Sequence, residues 1–235
     1  MSVLARPADR IHLEWRNRVI AEYTSAAITA RVLHLTVICG LDRPLQDTAL
    51  RIVRDELDHA ALSDEARLAL GDTDEPLGLE VGRLDPPRGS DGPLAELVDH
   101  VCTSFCFGET LAVPLFAAMR ARADHPAIQP VLTRVLADEA VHRGFGWDAL
   151  DALLALDPDG VRARAATTLP TALQSYRAAY HDIGDGSPLT AEELSAGLLP
   201  HGAYREVFRE TVLKTIVPRL GSRGIALDHG LHDAA

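Results

Sequence analysis

Two short runs, RDELDH at 54–59 and ADEAVH at 137–142, each set an aspartate, a glutamate and a histidine inside a segment otherwise rich in Ala, Val and Leu. An unpaired carboxylate in an apolar interior costs several kcal/mol, so any fold that buries these runs must supply positive charge beside both of them. The acids and imidazoles therefore constrain the architecture more tightly than the apolar residues around them.

Apolar residues recur at helical spacing in four long windows, from about Arg10 to Cys39, Leu45 to Leu70, Leu94 to Arg122 and Ala127 to Leu156. Gly40 and Gly71 stand where the first two should stop. Short links join the first window to the second and the third to the fourth, which implies two antiparallel helical hairpins. Between the hairpins lies GDTDEPLGLEVGRLDPPRGSDGP, too polar and broken for an element, and best read as a surface crossover. The pattern predicts an all-α protein, a four-helix bundle with one long crossover. Aromatics are only 5% of a chain that is 47% hydrophobic, which suits helix packed on helix better than a β-sandwich.

A single domain is expected over 1–235, with its bundle core at about 10–156 and cover helices at about 160–220. The cover comprises a fifth helix from about Gly160 to Ile183 and shorter pieces from about Thr190 to Leu220. The closing IALDHGLHDAA shows no periodicity and reads as a loosely held terminus, with His229 and His232 solvent-exposed. Tyr176, Tyr180 and His181 on the fifth helix read as polar tips of a cover, or else as a ligand or substrate contact.

A net charge of −11 and a pI near 5.3 argue against a nucleic-acid partner, whose phosphates need clustered Lys and Arg. Charges throughout the first forty residues leave no secretory apolar core, and no later segment is expected to reach membrane-spanning length, so the reading is cytoplasmic. Cys39, Cys102 and Cys106 form no CxxC pair and read as small core residues, with a redox or gating role for Cys102 and Cys106 as the alternative.

Alternating steps of three and four residues trace a core stripe on each window: Trp15, Val19, Glu22, Ala26, Thr29, Leu33; Leu45, Ala49, Ile52, Glu56, His59, Ser63, Ala66; Val98, Cys102, Phe105, Glu109, Ala112, Phe116; and Leu132, Val135, Glu139, His142, Gly146, Ala149, Leu153. Each stripe is apolar apart from small polar positions and a carboxylate near its middle, joined in the second and fourth by a histidine. Glu56 with His59, and Glu139 with His142, are three apart and leave one helix face together. Glu22 and Glu109 precede their pairs at similar distances, so the chain carries Glu…Glu-x-x-His twice. Four glutamates and two histidines form an N/O donor set suited to two divalent transition ions, whose charge the carboxylates balance. Asp55 and Asp138 directly precede the glutamates of the pairs. A metal-bound imidazole usually donates its other N–H to an outer carboxylate, so cross-pairing is expected, Asp55 with His142 and Asp138 with His59.

Pro114, five residues after Glu109, should kink or bulge the third helix. The distortion either widens a channel lined by Phe105, Ala112, Val113 and Phe116 or serves packing alone. Small residues at Ser25, Ala26, Thr29, Ser63 and Gly146 leave room beside the cluster for a ligand or for other side chains.

From about Trp15 to Leu153 this pattern resembles the ferritin-like di-iron carboxylate superfamily. The resemblance implies a ferritin-like bundle in which Glu22, Glu56 and His59 serve mainly one iron and Glu109, Glu139 and His142 the other, with Glu56 and Glu139 bridging. It implies two Fe ions with O2 as co-substrate. Ser63 stands where the radical-forming reductase subunit has a tyrosine, paired CxxC motifs of a rubrerythrin are missing, and about eighty residues follow the fourth helix, unlike compact storage ferritins. The ligand spacings are also similar to those of aldehyde-deformylating oxygenases. The expected activity is that of an O2-activating non-haem di-iron oxygenase or oxidase acting on a small, mostly apolar organic substrate. The alternative is a ferroxidase or iron-handling protein. Electrons would come from an external ferredoxin or reductase, since the chain has no Gly-rich dinucleotide fingerprint. A homodimer is compatible with the sequence.

Overall fold

The computed structural model describes residues 7–74, 84–86, 89 and 91–231, all of them in helices or connecting loops. Most of the expected crossover, and His232, lie outside the described residues. Helix α1 spans Pro7–Ile38 and α2 spans Arg43–Ala69. The third long segment is composite: α3 (Pro93–His100), a π-helical stretch (Val101–Glu109) and α4 (Thr110–Arg120). Helix α5 spans Ile128–Leu156, α6 Pro158–Tyr180, α7 Ala191–Ser195, α8 His201–Thr211 and α9 Val217–Gly221, with a second π-helical stretch at Val212–Ile216.

Local chemistry explains the boundaries. Gly40 turns the chain after α1 at φ 73°, a left-handed conformation that β-carbons resist. Asp42 then caps α2 by accepting from the Leu45 amide at 3.1 Å, with Pro44 preset in the first turn. Asp157 caps α6 in the same way through the Gly160 amide at 3.0 Å.

The long segments close a ring: α1 packs on α2, α2 on α5, α5 on the π-helical stretch and α4, and α3 back on α1. Arg31 of α1 clamps Glu96 of α3 with two hydrogen bonds, 2.7 and 2.9 Å. At the far end of α2 the buried Asp72 accepts from Arg16 of α1 at 2.6 Å and meets buried Arg67 at 3.2 Å. Helix α6 lies across α3 and the π-helical stretch, and α8 across α4 and α6.

The core stripes expected on α1, α2 and α5 are buried, with Leu33 half-buried. The third departs from expectation because the wider π turns rotate the face that follows. Beyond Glu109 the buried positions of α4 are Thr110, Leu111, Leu115 and Met119, whereas Ala112 and Phe116 are half-buried.

Two further expectations are corrected. The tail is not loose up to Leu231, since Ile225, Leu227 and Leu231 join the core, Ile225 and Leu227 at the two-residue spacing of extended chain. His229 is half-buried, and its Nδ1 accepts from the Leu231 amide at 3.1 Å. Pro93–Arg120 is also long and apolar enough to cross a membrane by composition, although half of its most apolar window is buried against the protein itself.

Gly146 permits a close approach of α5 to the third segment, for a β-carbon there would meet Phe105 Cβ at 2.6 Å. Gly144, two residues earlier on the same helix, has nothing within 4 Å of that position. Gly146→Ala should therefore cost about 1–3 kcal/mol, roughly 2–10 °C in Tm, while Gly144→Ala should stabilise by about 0.5–1 kcal/mol. Thermal unfolding of the two variants checks the contrast, and equal shifts would refute it.

Candidate metal centre

Four helical segments each deliver one part of a buried cluster. Glu22 comes from α1, Glu56 and His59 from α2, Glu109 from the end of the π-helical stretch, and Glu139 and His142 from α5. All six side chains are buried, both histidines completely. Within each pair the three-residue spacing stacks donors about one turn apart on a single face, so both point inward.

The two Nδ1 atoms face the carboxylates. His59 Nδ1 lies 3.8 Å from Glu22 Oε2 and 3.6 Å from Glu56 Oε2, and His142 Nδ1 lies 3.3 Å from both Glu56 and Glu139 and 4.0 Å from Glu109. Glu139 also reaches within 4.0 Å of His59 Nδ1. Glu56 and Glu139 thus stand between the imidazoles, with Glu22 and Glu109 on the flanks. Glu22, Glu56, His59 and Glu139 form one group whose donors converge closely enough to hold an ion, and Glu56, Glu109 and His142 form another.

The outward nitrogens meet the two aspartates crosswise. His59 Nε2 is 3.1 Å from Asp138 Oδ2, whereas His142 Nε2 stands 3.5 Å from Asp55 and makes no hydrogen bond. The expected exchange of partners is present in placement, closed on one side and loose on the other. Arg134 donates to Asp138 at 2.6 Å and Arg51 to Asp55 at 3.3 Å, and each arginine also reaches the other aspartate at 3.7 Å. Neither arginine is among the residues singled out by the core stripes. Their signal lies in a longer repeat, Arg-x-x-x-Asp-Glu-x-x-His, present at 51–59 and 134–142.

Without a cation the cluster is electrostatically unsettled. Burial and the neighbouring carboxylates push Glu22 up to about 7, and burial, with Glu56 and Glu22 adding to it, carries Glu139 up to about 8. Burial together with Glu139 drives Glu109 well above the usual carboxylate range. Burial opposes a charge on His59, but Glu22 and Glu56 outweigh it and raise the imidazole to about 11. Glu56 goes the other way: burial would raise it, but His142 and His59 hold it below its ordinary range.

His59 Nδ1, His142 Nδ1, Glu56 Oε2 and Glu139 Oε2 have no hydrogen-bond partner although buried. A buried polar atom left unpaired costs about 1–3 kcal/mol, and four converging on one point are what a pair of cations would satisfy. The donor set, hard carboxylates with one imidazole per position, fits divalent transition ions.

No family model, curated protein or solved structure matches this chain.

A cavity of about 700 Å³ opens beside the cluster, touched by Glu22, Glu56, Glu109 and Glu139. Ala112 and Phe116 line it as expected, whereas Phe105 and Val113 do not. Ser25 lines it too, and its hydroxyl donates to Glu56 at 2.8 Å. Gly146 serves packing instead, its carbonyl accepting from the Cys106 thiol at 3.3 Å. Burial pushes Cys102 up to about 12 and Cys106 well above its ordinary value, so both favour the neutral thiol, as small core residues do.

Tyr176 and Tyr180 do not point outward as a simple cover would. Both line the cavity, in a stack running Phe107, Tyr176, Tyr180, Tyr204 with ring centroids 5.0, 6.3 and 5.8 Å apart. Tyr176 donates to the Thr103 carbonyl at 3.2 Å, inside the π-helical stretch, and its oxygen would lie 2.5 Å from a β-carbon on Gly108. His181 instead faces Asp182 at the surface, 2.8 Å away.

Two outcomes follow. Glu22, Glu109, Glu139 and His59 all hold protons more tightly folded than unfolded, so they stabilise the metal-free protein at low pH and lose that contribution as pH rises through their folded values. The Tm of chelator-stripped protein should fall between about pH 5 and pH 9, and zinc, by displacing those protons, should abolish the fall. Secondly, Asp138→Asn should weaken metal binding about 10–100-fold, and Asp55→Asn less, in competition titrations with a chromophoric chelator.

Proposed function

We propose that this chain is a ferritin-like four-helix bundle holding two iron ions, and that it acts as an O2-activating oxygenase or oxidase on a small, mostly apolar organic substrate. The observation that carries this reading is the position of the carboxylate cluster at the wall of a largely apolar cavity of about 700 Å³. A site that only passed iron through would gain nothing from such a chamber. In this reading Glu22, Glu56 and His59 hold one ion and Glu109, Glu139 and His142 the other, with Glu56 and Glu139 shared. When bound, the two ions supply the redox chemistry that couples O2 reduction to substrate oxidation.

The chain's own residues do the rest. Asp138 holds the His59 ring with Nδ1 inward, so the imidazole presents a lone pair without having to reorient. Ser25 orients Glu56 through its hydroxyl, fixing the direction of one shared carboxylate. Ile28, Leu111, Leu115 and Phe116 give the chamber apolar walls, which offer a substrate's apolar body a surface to pack on beside the cluster. Electrons arrive from a separate ferredoxin or reductase docking on the acidic exterior.

Anaerobic Fe(II) titration followed by mixing with O2 tests the proposal. Oxidation should saturate at about two irons per chain, and Glu139→Ala should bind at most about half as much. Oxidation continuing far past that ratio would overturn the oxygenase reading in favour of iron handling.

A further inference from the structure

The cavity is not apolar throughout. At one end it is lined by Arg18, which sits one helical turn before Glu22 on α1, about 6 Å along the axis from the cluster. Among the described residues lining the cavity it is the one permanent cation. Its side chain is only 10% exposed, packed with its guanidinium 5.3 Å from the ring centroids of both Trp15 and Phe116. Nη2 donates to Glu14 at 2.7 Å and touches Met119 Sδ at 2.9 Å, whereas Nε is buried with no hydrogen-bond partner.

A guanidinium offers donors and no acceptor, so it selects for an anion and against an ammonium group. Packing against two aromatic rings holds the plane still, and Glu14 holds one corner of it. What remains is a guanidinium with unused donors, held still at the wall of a chamber whose apolar lining includes Ile28, Ala112, Leu115 and Phe116 and whose far side carries the cluster's glutamates. One arginine already shared with Glu14 matches a single negative charge. A phosphate monoester would need a second cation.

We propose that Arg18 is the docking point for the carboxylate of an amphipathic organic acid, whose apolar body extends along Ala112 and Phe116 toward Glu22 and Glu109. This assignment rests on the reading of the cluster as a reaction centre, and it gives the substrate an orientation. The anionic group is held at the α1 end, and the part of the molecule a few bonds away from it is presented to the cluster. Glu14 is a positioning residue, since it touches the guanidinium and not the acid. Tyr180 and Tyr204 form the adjoining wall, close enough to Arg18 for its charge to act on both hydroxyls.

Calorimetric titration of the full chain with octanoate and with 1-octanol, in the zinc-loaded and the metal-free forms, tests the proposal. Octanoate should bind about 10–100-fold more tightly than 1-octanol, the range of a charge-assisted hydrogen bond. Arg18→Gln should bring octanoate down to the level of 1-octanol and leave 1-octanol unchanged. Glu14→Gln, at a more exposed position, should tighten octanoate several-fold by releasing Nη2, and Ala112→Phe should weaken both probes by filling the chamber. Wild-type octanoate affinity in Arg18→Gln would overturn the proposal, as would octanoate binding that needs zinc and ignores Arg18, because the carboxylate would then sit on the metals. If Arg18→Gln does not fold, an unchanged affinity in Glu14→Gln overturns it instead. Zinc is redox-inert and the titration uses no O2, so a failure of the oxygen chemistry and a failure of this site are separately visible.

Discussion

Four carboxylates and two imidazoles packed into the middle of an apolar helical ring are the constraint on which the remaining structure depends. Their mutual repulsion and lost hydration must be offset at the site itself, because no apolar packing nearby can do so. The fold answers in two layers. Outside, Asp55 and Asp138 meet the far side of the histidine rings and are in turn met by Arg51 and Arg134, so charge alternates outward from negative to positive. Inside, the donors converge with buried atoms unpaired, an arrangement that cations would complete.

The π-helical stretch is the second consequence. Glu109 ends it, and the widened turns rotate the following residues, leaving Ala112 and Phe116 facing open space while Leu111 and Leu115 take over the packing. A regular helix carrying the same sequence would have set Ala112 and Phe116 into the stripe below Glu109 and closed the chamber. Helices α6 and α8 then roof that chamber with stacked tyrosines, and Arg18 supplies a fixed positive charge. Site and chamber thus arise from different parts of the chain, the first from the ring of long helices and the second from its distortion and its cover.

How far the site was legible depends on periodicity. Glu22, Glu56, His59, Glu109, Glu139 and His142 stood out because each interrupts an apolar stripe at regular helical spacing, and a stripe with period near 3.6 says which way a side chain faces. Arg51 and Arg134 carried the same information four residues upstream of each aspartate, and were overlooked because an arginine on a helix usually faces water. For Tyr176 and Tyr180 the sequence left two readings open, tips of a cover or a contact with the site, because the orientation of a cover helix is set by the surface it covers.

Local sequence, then, determined the helical class, the four long segments and the identity of the buried donors, since all of these follow from residue spacing within a single helix. Tertiary structure alone decided that the expected crosswise pairing closes between His59 and Asp138 and stays loose between Asp55 and His142, and it decided the burial of Ile225 and Leu227 in the tail and the placement of Arg18 beside a cavity. Each of these joins residues far apart in the chain. Their contact depends on how helices rotate and approach one another, as at Gly146, and no pattern within one segment encodes that.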